Sequence, residues 1–143
     1  MDKQESIQVR DVMKQSLNKV NGIDTVQSAL SKMIDLESRI LIVDKRDEND
    51  EYGVVLLSDI AKQVIAKDRS AERVNIYEIM SKPVISVRDN MDIRYCSRLF
   101  SRFGLNIAPV TDKSGELIGT VSYRDIVLKG LLKFDEEATN SNE

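Results

Sequence analysis

The sequence predicts an α/β chain of the α+β-like kind, made of two copies of one strand-helix-strand-strand-helix motif paired with pseudo-two-fold symmetry. Three observations predict it. First, the chain repeats itself: 67 residues separate Met13 from Met80, Val20 from Val87 and Ala29 from Cys96, and 66 separate Asp59 from Asp125. A period this long, present twice, describes a pair of small units rather than a solenoid. Second, each copy alternates short apolar runs of strand length with stretches of helical period. Third, 143 residues, 41% apolar and 31% charged, make a globular chain of one domain's length, and half that length buries too little surface to stand alone. The copies are therefore expected to share a core, with a cleft between them as the place for a ligand.

The first motif takes residues 7–67. Leu17 to Val20 reads as a short strand, and Asp24 or Thr25 caps a helix with Val26, Ala29, Leu30, Met33 and Ile34 on its apolar face. Ile40 to Val43 is a strand buried on both sides, Asp44 to Glu51 a charged loop and Tyr52 to Leu57 the third strand. Ser58 caps a helix running towards Lys67. Residues 68–74 form a polar linker. The second motif, 75–133, repeats the order. Pro83 to Val87 is a strand, and Asp89 to Phe103 a helix with Ile93, Cys96, Phe100 and Phe103 inward and Gly104 left-handed just past its end. Ile107 to Val110 and Leu117 to Val121 are strands joined by a turn at Asp112-Lys113-Ser114-Gly115, and a last helix runs from Ser122 towards Lys133. Residues 134–143 read as a disordered acidic tail.

Composition removes several kinds of chemistry. With no histidine, Ser-His triads and His-based zinc sites are excluded from this chain. A net charge of −3 supplies no basic footprint for nucleic acid. The single Cys96 cannot form an intrachain disulfide and aligns with Ala29, so it reads as a small core residue. No apolar run reaches the length of a membrane span, and Met1-Asp2-Lys3-Gln4-Glu5 lacks the regions of a signal peptide, so a cytoplasmic location is expected. The sequence offers no activated nucleophile, metal cluster or closely spaced carboxylate pair. Catalytic residues, a resident cofactor and a metal are accordingly not expected, and the chain is read as a non-enzyme.

The sharpest local pattern is Gly119-Thr120-Val121-Ser122-Tyr123-Arg124-Asp125. A strand ends, a hydroxyl residue starts the helix and a carboxylate follows three positions later. Exposed N–H groups and the helix dipole favour a phosphate near Ser122, Asp125 can accept from vicinal sugar hydroxyls, and Arg124 can add a charge-assisted contact. The same residues equally describe a capping-box variant with Arg124 in water.

Taken with their surroundings, the two copies resemble the cystathionine-β-synthase (CBS) domain family, in which two motifs pair into a Bateman module. The resemblance rests on Val9-Arg10-Asp11-Val12-Met13 and Ile76-Tyr77-Glu78-Ile79-Met80 at the motif starts, on Pro83-Val84-Ile85-Ser86-Val87, on Ile107-Ala108-Pro109-Val110-Thr111-Asp112, and on Gly119 to Asp125. It covers roughly residues 7 to 133. It implies a three-stranded mixed sheet with two helices per motif, motifs paired across their sheets, and a cleft for an adenosine-containing regulatory ligand: AMP, ADP, ATP or S-adenosylmethionine. Carried over by position, Val84, Ile107 and Pro109 line the adenine, Ser122 faces phosphate and Asp125 the ribose. The first copy departs from the pattern, with Leu56 where the second has Ser122 and Ile42 where it has Pro109, while Asp59 is retained. One competent site, in the second copy, is expected beside a weak or empty one. Arg39, at the start of the equivalent strand, either reaches across the cleft to phosphates or snorkels to water. The resemblance also implies homodimers joined through helices, and with nothing outside the motifs to regulate, the ligand signal is expected to pass to a separate protein. The competing expectation is a ligand-free structural or docking module.

Overall fold

The computed structural model describes residues 6–141, with side chains as far as Leu132. In chain order the elements are α1 (Val9–Val12), β1 (Lys19–Val20), α2 (Val26–Ser31), β2 (Ile40–Val43), β3 (Gly53–Leu56) and α3 (Leu57–Ile60), which continues as a π-helical turn over Ala61–Ile65. A 3-10 turn at Ile76–Glu78 leads to β4 (Val87–Arg88), α4 (Ile93–Phe103), β5 (Ile107–Thr111), β6 (Leu117–Ser122) and α5 (Tyr123–Ser141). Each sheet has three strands in sequence order, the first pair parallel and the second antiparallel. The mixed architecture and the duplication expected from the sequence are both present.

The compact units do not coincide with the sequence repeats. One unit comprises residues 17–84, and the other joins the residues up to Ser16 to those from Ile85 on. Each motif's leading segment thus folds with the strands of the other motif. In the unit built on β4-β5-β6, Val9 and Val12 of α1 are fully buried in one cluster with Val87, Cys96, Phe100, Ala108, Val110 and Val121. Lys14 then adds an antiparallel bridge to β6, exchanging two 2.9 Å backbone hydrogen bonds with Thr120. Gly119 makes this crossing feasible, because a Cβ there would overlap the Lys14 carbonyl. In the unit built on β1-β2-β3, Val74 and Ile76 join Val20, Val26, Leu41 and Val55 in the core, and Ser81 pairs with Val54 by the same two 2.9 Å bonds. The end of the stretch read as a polar linker is therefore core-forming, since Val74 is buried and Ala71 packs on the same cluster.

Several element boundaries and inward positions differ from the sequence reading, each for a local reason. The strands before the helices shorten to Lys19–Val20 and Val87–Arg88, because only these residues find a parallel partner. Helix α2 stops at Ser31, because the buried Asn18 side chain accepts the amides of Ile34 and Asp35 (2.9 and 3.1 Å) and donates to the Asp35 carbonyl, drawing the chain off the helical path. Ile34, expected inward, is 82% exposed as a result. Phe103 is also exposed: Gly104 adopts φ 66 and reverses the chain, so that Leu105 packs on the core in its place. Ser58 does not cap the helix after β3, which begins at Leu57 with Leu56 in the cap position. The last helix continues through Ser141, so the backbone of 134–141, read as tail, is helical; Ala, Glu and Asp without Gly or Pro offer no stop signal there. Asn142 and Glu143 lie outside the described residues. Cys96 is a core residue as expected, and burial pushes its thiol up to about 11.

Candidate functional site

The register of β5 with β6 builds the candidate site. Ile107 pairs with Ser122, Ala108 with Val121 and Pro109 with Thr120. Side chains directly opposite share a face, and neighbours along a strand alternate. Ala108, Val110 and Val121 point into the helix-covered core, so Ile107, Pro109, Thr120 and Ser122 form the other face of the sheet. That face ends where β6 runs directly into α5, at Ser122 and Asp125.

There the two side chains satisfy each other. Asp125 Oδ2 accepts from the Ser122 amide at 3.0 Å and from the Ser122 hydroxyl at 3.0 Å, and Ser122 Oγ accepts the Asp125 amide at 3.1 Å. Both residues are buried, at 8% and 4% exposure. Lys129, one turn on, holds its Nζ 3.9 Å from Asp125 Oδ1. That separation is beyond a hydrogen bond, so Oδ1 is the carboxylate oxygen left to accept from a ligand hydroxyl. The Ser122 hydroxyl proton is already spent on Asp125, and the Tyr123 amide on the Asn106 carbonyl at 3.0 Å. Among the described residues, an anion at this helix start is left the Arg124 amide and the exposed Arg124 guanidinium.

The first sheet carries the corresponding junction with different chemistry. Ile40 pairs with Leu56 and Ile42 with Val54, so the face of β2 and β3 equivalent to Ile107 and Pro109 is wholly aliphatic. Asp59 Oδ2 accepts the Leu56 amide at 2.8 Å, but Leu56 has no hydroxyl to return the bond. The Arg39 carbonyl accepts the Leu57 amide at 3.0 Å, as Asn106 does for Tyr123, and the Arg39 side chain is exposed.

The fold thus gathers Ile107, Pro109, Ser122, Arg124 and Asp125 in one compact unit, while Val84, Arg39 and Asp59 belong to the other. Lys129 and Asn106 were not singled out from the sequence. The i, i+4 spacing of Asp125 and Lys129 could have flagged the first; the second acts through its carbonyl, which no side-chain pattern reports. Among the described residues no group of three or more His, Cys, Asp or Glu side chains is placed to hold a metal ion, and no helix is long and apolar enough to cross a membrane.

A mixed three-stranded sheet, repeated, with a hydroxyl-carboxylate pair where strand meets helix, defines the class. The family model for the CBS domain matches residues 9–66 and again 76–130, and the chain belongs to that family as a tandem pair. Among solved structures, a hexameric CBS-CP12 protein from bloom-forming cyanobacteria is 33% identical with a TM-score of 0.82, covering 90% of this chain and 74% of that one. A CBS domain protein from Pyrobaculum aerophilum complexed with AMP is 18% identical with a TM-score of 0.74, covering 90% of this chain and 97% of that one. A CBS domain pair in complex with 5′-methylthioadenosine and S-adenosyl-L-methionine is 22% identical with a TM-score of 0.71, covering 86% and 94%. The last two likenesses establish the fold. The chain spans between 24% and 49% of the length of the curated relatives it matches.

Proposed function

We propose that the protein is a regulatory module that binds an adenosine-containing ligand at the second sheet's strand-helix junction and passes its occupancy to a partner protein. The observation that carries this reading is the Asp125 carboxylate: buried, fixed in place by Ser122 through Oδ2, and left with Oδ1 to accept from a sugar hydroxyl. Ile107 and Pro109 supply an apolar face for the base, and the Arg124 amide and guanidinium take the role towards phosphate that the residue pattern suggests for Ser122. Asp59 marks a weaker counterpart in the first copy. AMP, ADP, ATP and S-adenosylmethionine share the adenosine this site would read, and the complexes of the two structural relatives support that ligand class. One carboxylate and an apolar slot correspond to micromolar affinity, about −8 kcal/mol. A ligand regulates only through different affinities for two states of the module, and those states need a partner to read them. Homodimerisation through helices fits α5, whose Val127, Leu128, Leu131 and Leu132 are exposed, while Ile126, like Ile60 and Val64 on the earlier helix, packs internally.

Titration calorimetry with AMP, ADP, ATP and S-adenosylmethionine tests the reading. Saturable micromolar heat at about one ligand per chain is expected from at least one of them. No heat from any, on protein shown to be folded, overturns it in favour of a ligand-free docking module acting through the exposed α5 residues.

A further inference from the structure

A second feature lies at the opposite end of the first sheet from its strand-helix junction. Where β1 and β2 end, residues 21–23 and 43–46 together with Tyr77, Met80 and Lys82 enclose an open pocket of ≈ 660 Å³, within the size range of small-ligand sites. Every lining residue belongs to the same compact unit.

The pseudo-symmetric counterpart carries different side chains here. Tyr77 donates its amide to the Gly22 carbonyl at 2.9 Å, and 67 residues away Arg10 donates its amide to the Asp89 carbonyl at 2.8 Å. The backbones correspond, but the side chains do not. In the second unit Asp89 carries a carboxylate that pairs with Arg10 at 3.8 Å. In the first unit the same two positions hold Gly22, which has no side chain, and Tyr77, whose ring is half exposed. A Cβ on Gly22 would meet only ordinary contacts, 3.5 Å from Tyr77 and 3.7 Å from Val43, so crowding does not demand glycine at this position.

The chemistry of the walls selects a ligand. Tyr77, Met80, Val43 and the 80% exposed Ile23 present an apolar body. Lys45, Arg46 and Lys82 stand at the rim. Asp50 anchors two of them, accepting Lys82 Nζ at 2.6 Å and Arg46 Nε at 3.0 Å. Among the lining residues three cations stand with one carboxylate, Asp44, while Asp50 and Asp47 act on Arg46 from beyond the lining. Among the described residues Lys45 makes no carboxylate pair of this kind; its ammonium lies 4.8 Å from the Tyr52 ring centroid. We infer that this pocket is a second ligand site, separate from the adenosyl site, for a small molecule with a flat apolar body and one carboxylate or phosphate group. The body covers Ile23 and Tyr77, and the anion meets Lys45 and the Asp50-anchored cations.

Backbone amide chemical-shift titration of the full chain with naphthalene-2-carboxylate and 1-naphthyl phosphate, and with uncharged naphthalene-2-carboxamide as control, tests the inference. Saturable shifts at Gly22, Lys45 and Tyr77 are expected from at least one anion, at least about fivefold tighter than the amide, and the tighter anion identifies the head group. Gly22→Leu fills the pocket and should abolish the shifts at Lys45 and Tyr77. Lys45→Glu, at an exposed position, should weaken the anion about tenfold whatever Gly22→Leu does to folding. Asp125→Asn should leave these shifts in place. No saturable shift from either anion, equal affinity for the uncharged amide, or undiminished binding in Lys45→Glu overturns the inference.

Discussion

Ser122 and Asp125 are joined by three hydrogen bonds of 3.0 to 3.1 Å, one between hydroxyl and carboxylate and one from each backbone amide, whereas at Leu56 and Asp59 only the bond from the Leu56 amide forms, at 2.8 Å. The backbones of the two junctions match down to the carbonyl, Asn106 or Arg39, that receives the first helical amide at 3.0 Å. One side chain therefore separates a carboxylate that is buried and doubly anchored from one that is only partly buried and singly anchored. Duplication preserved the scaffold while the side chains at the junction diverged. The divergence runs the other way at the far end of the first sheet, where Gly22 and Tyr77 line a pocket while the equivalent Asp89 and Arg10 pair with each other.

Four comparisons between the copies can be broken or sharpened. The largest effect is expected at the paired glycines under the exchanged segments. A Cβ on Gly119 meets the Lys14 main chain, while one on Gly53 meets the mobile end of Met80 at 2.9 Å. Gly119→Ala should therefore cost on the order of 3 kcal/mol in urea unfolding and Gly53→Ala about 1 kcal/mol; equal costs would remove the main-chain crossing as the reason for Gly119. Next come the caps. Ser122→Ala leaves the Asp125 amide without its acceptor and should cost about 1.5 kcal/mol. Leu56→Ser supplies the missing hydroxyl, should add about 0.5 kcal/mol, and should raise the ligand stoichiometry towards two per chain. A stoichiometry that stays at one would show that more than the hydroxyl is missing from the first copy.

The smallest effect is a pH dependence. Helix α4 is capped by Asp92, whereas α2, 67 residues earlier, is capped by the neutral Thr25. The Arg94 guanidinium, the Arg94 amide and the Ser6 hydroxyl hold the Asp92 carboxyl down at about 2. A carboxylate lowered on folding stabilises the folded state above its ordinary value near 3.9 and loses that contribution as the pH falls towards 2. Stability should decline across that window, and Asp92→Thr should flatten the decline. An unchanged acid profile in the variant would assign the loss to other carboxylates, of which Asp50, also lowered by its Lys82 and Arg46 contacts, is the first to examine.

The repeat, both sheets and the Ser122-Asp125 pair were legible because they depend on local pattern: apolar runs, helical period and cap spacing. The exchange of leading segments was not. Val9, Val12, Val74 and Ile76 look equally apolar whichever sheet they cover, and periodicity carries no information about which strand a segment crosses. The inward assignments of Ile34 and Phe103 failed where Asn18 and Gly104 end their helices, a long-range hydrogen bond in one case and a chain reversal in the other. The engagement of the Ser122 hydroxyl by Asp125, which moves any phosphate contact towards Arg124, depends on side-chain geometry that spacing alone leaves open.

The most direct test of the central claim is the affinity of Asp125→Asn against that of Asp59→Asn, measured by titration calorimetry with whichever adenosyl ligand binds the parent chain. Asparagine keeps an oxygen to accept the cap hydrogen bonds but removes the charge that strengthens those to the sugar. The account predicts a loss of about 10- to 100-fold for Asp125→Asn and less than about twofold for Asp59→Asn. Equal losses, or a larger loss at Asp59, would contradict the assignment of the competent site to the second copy.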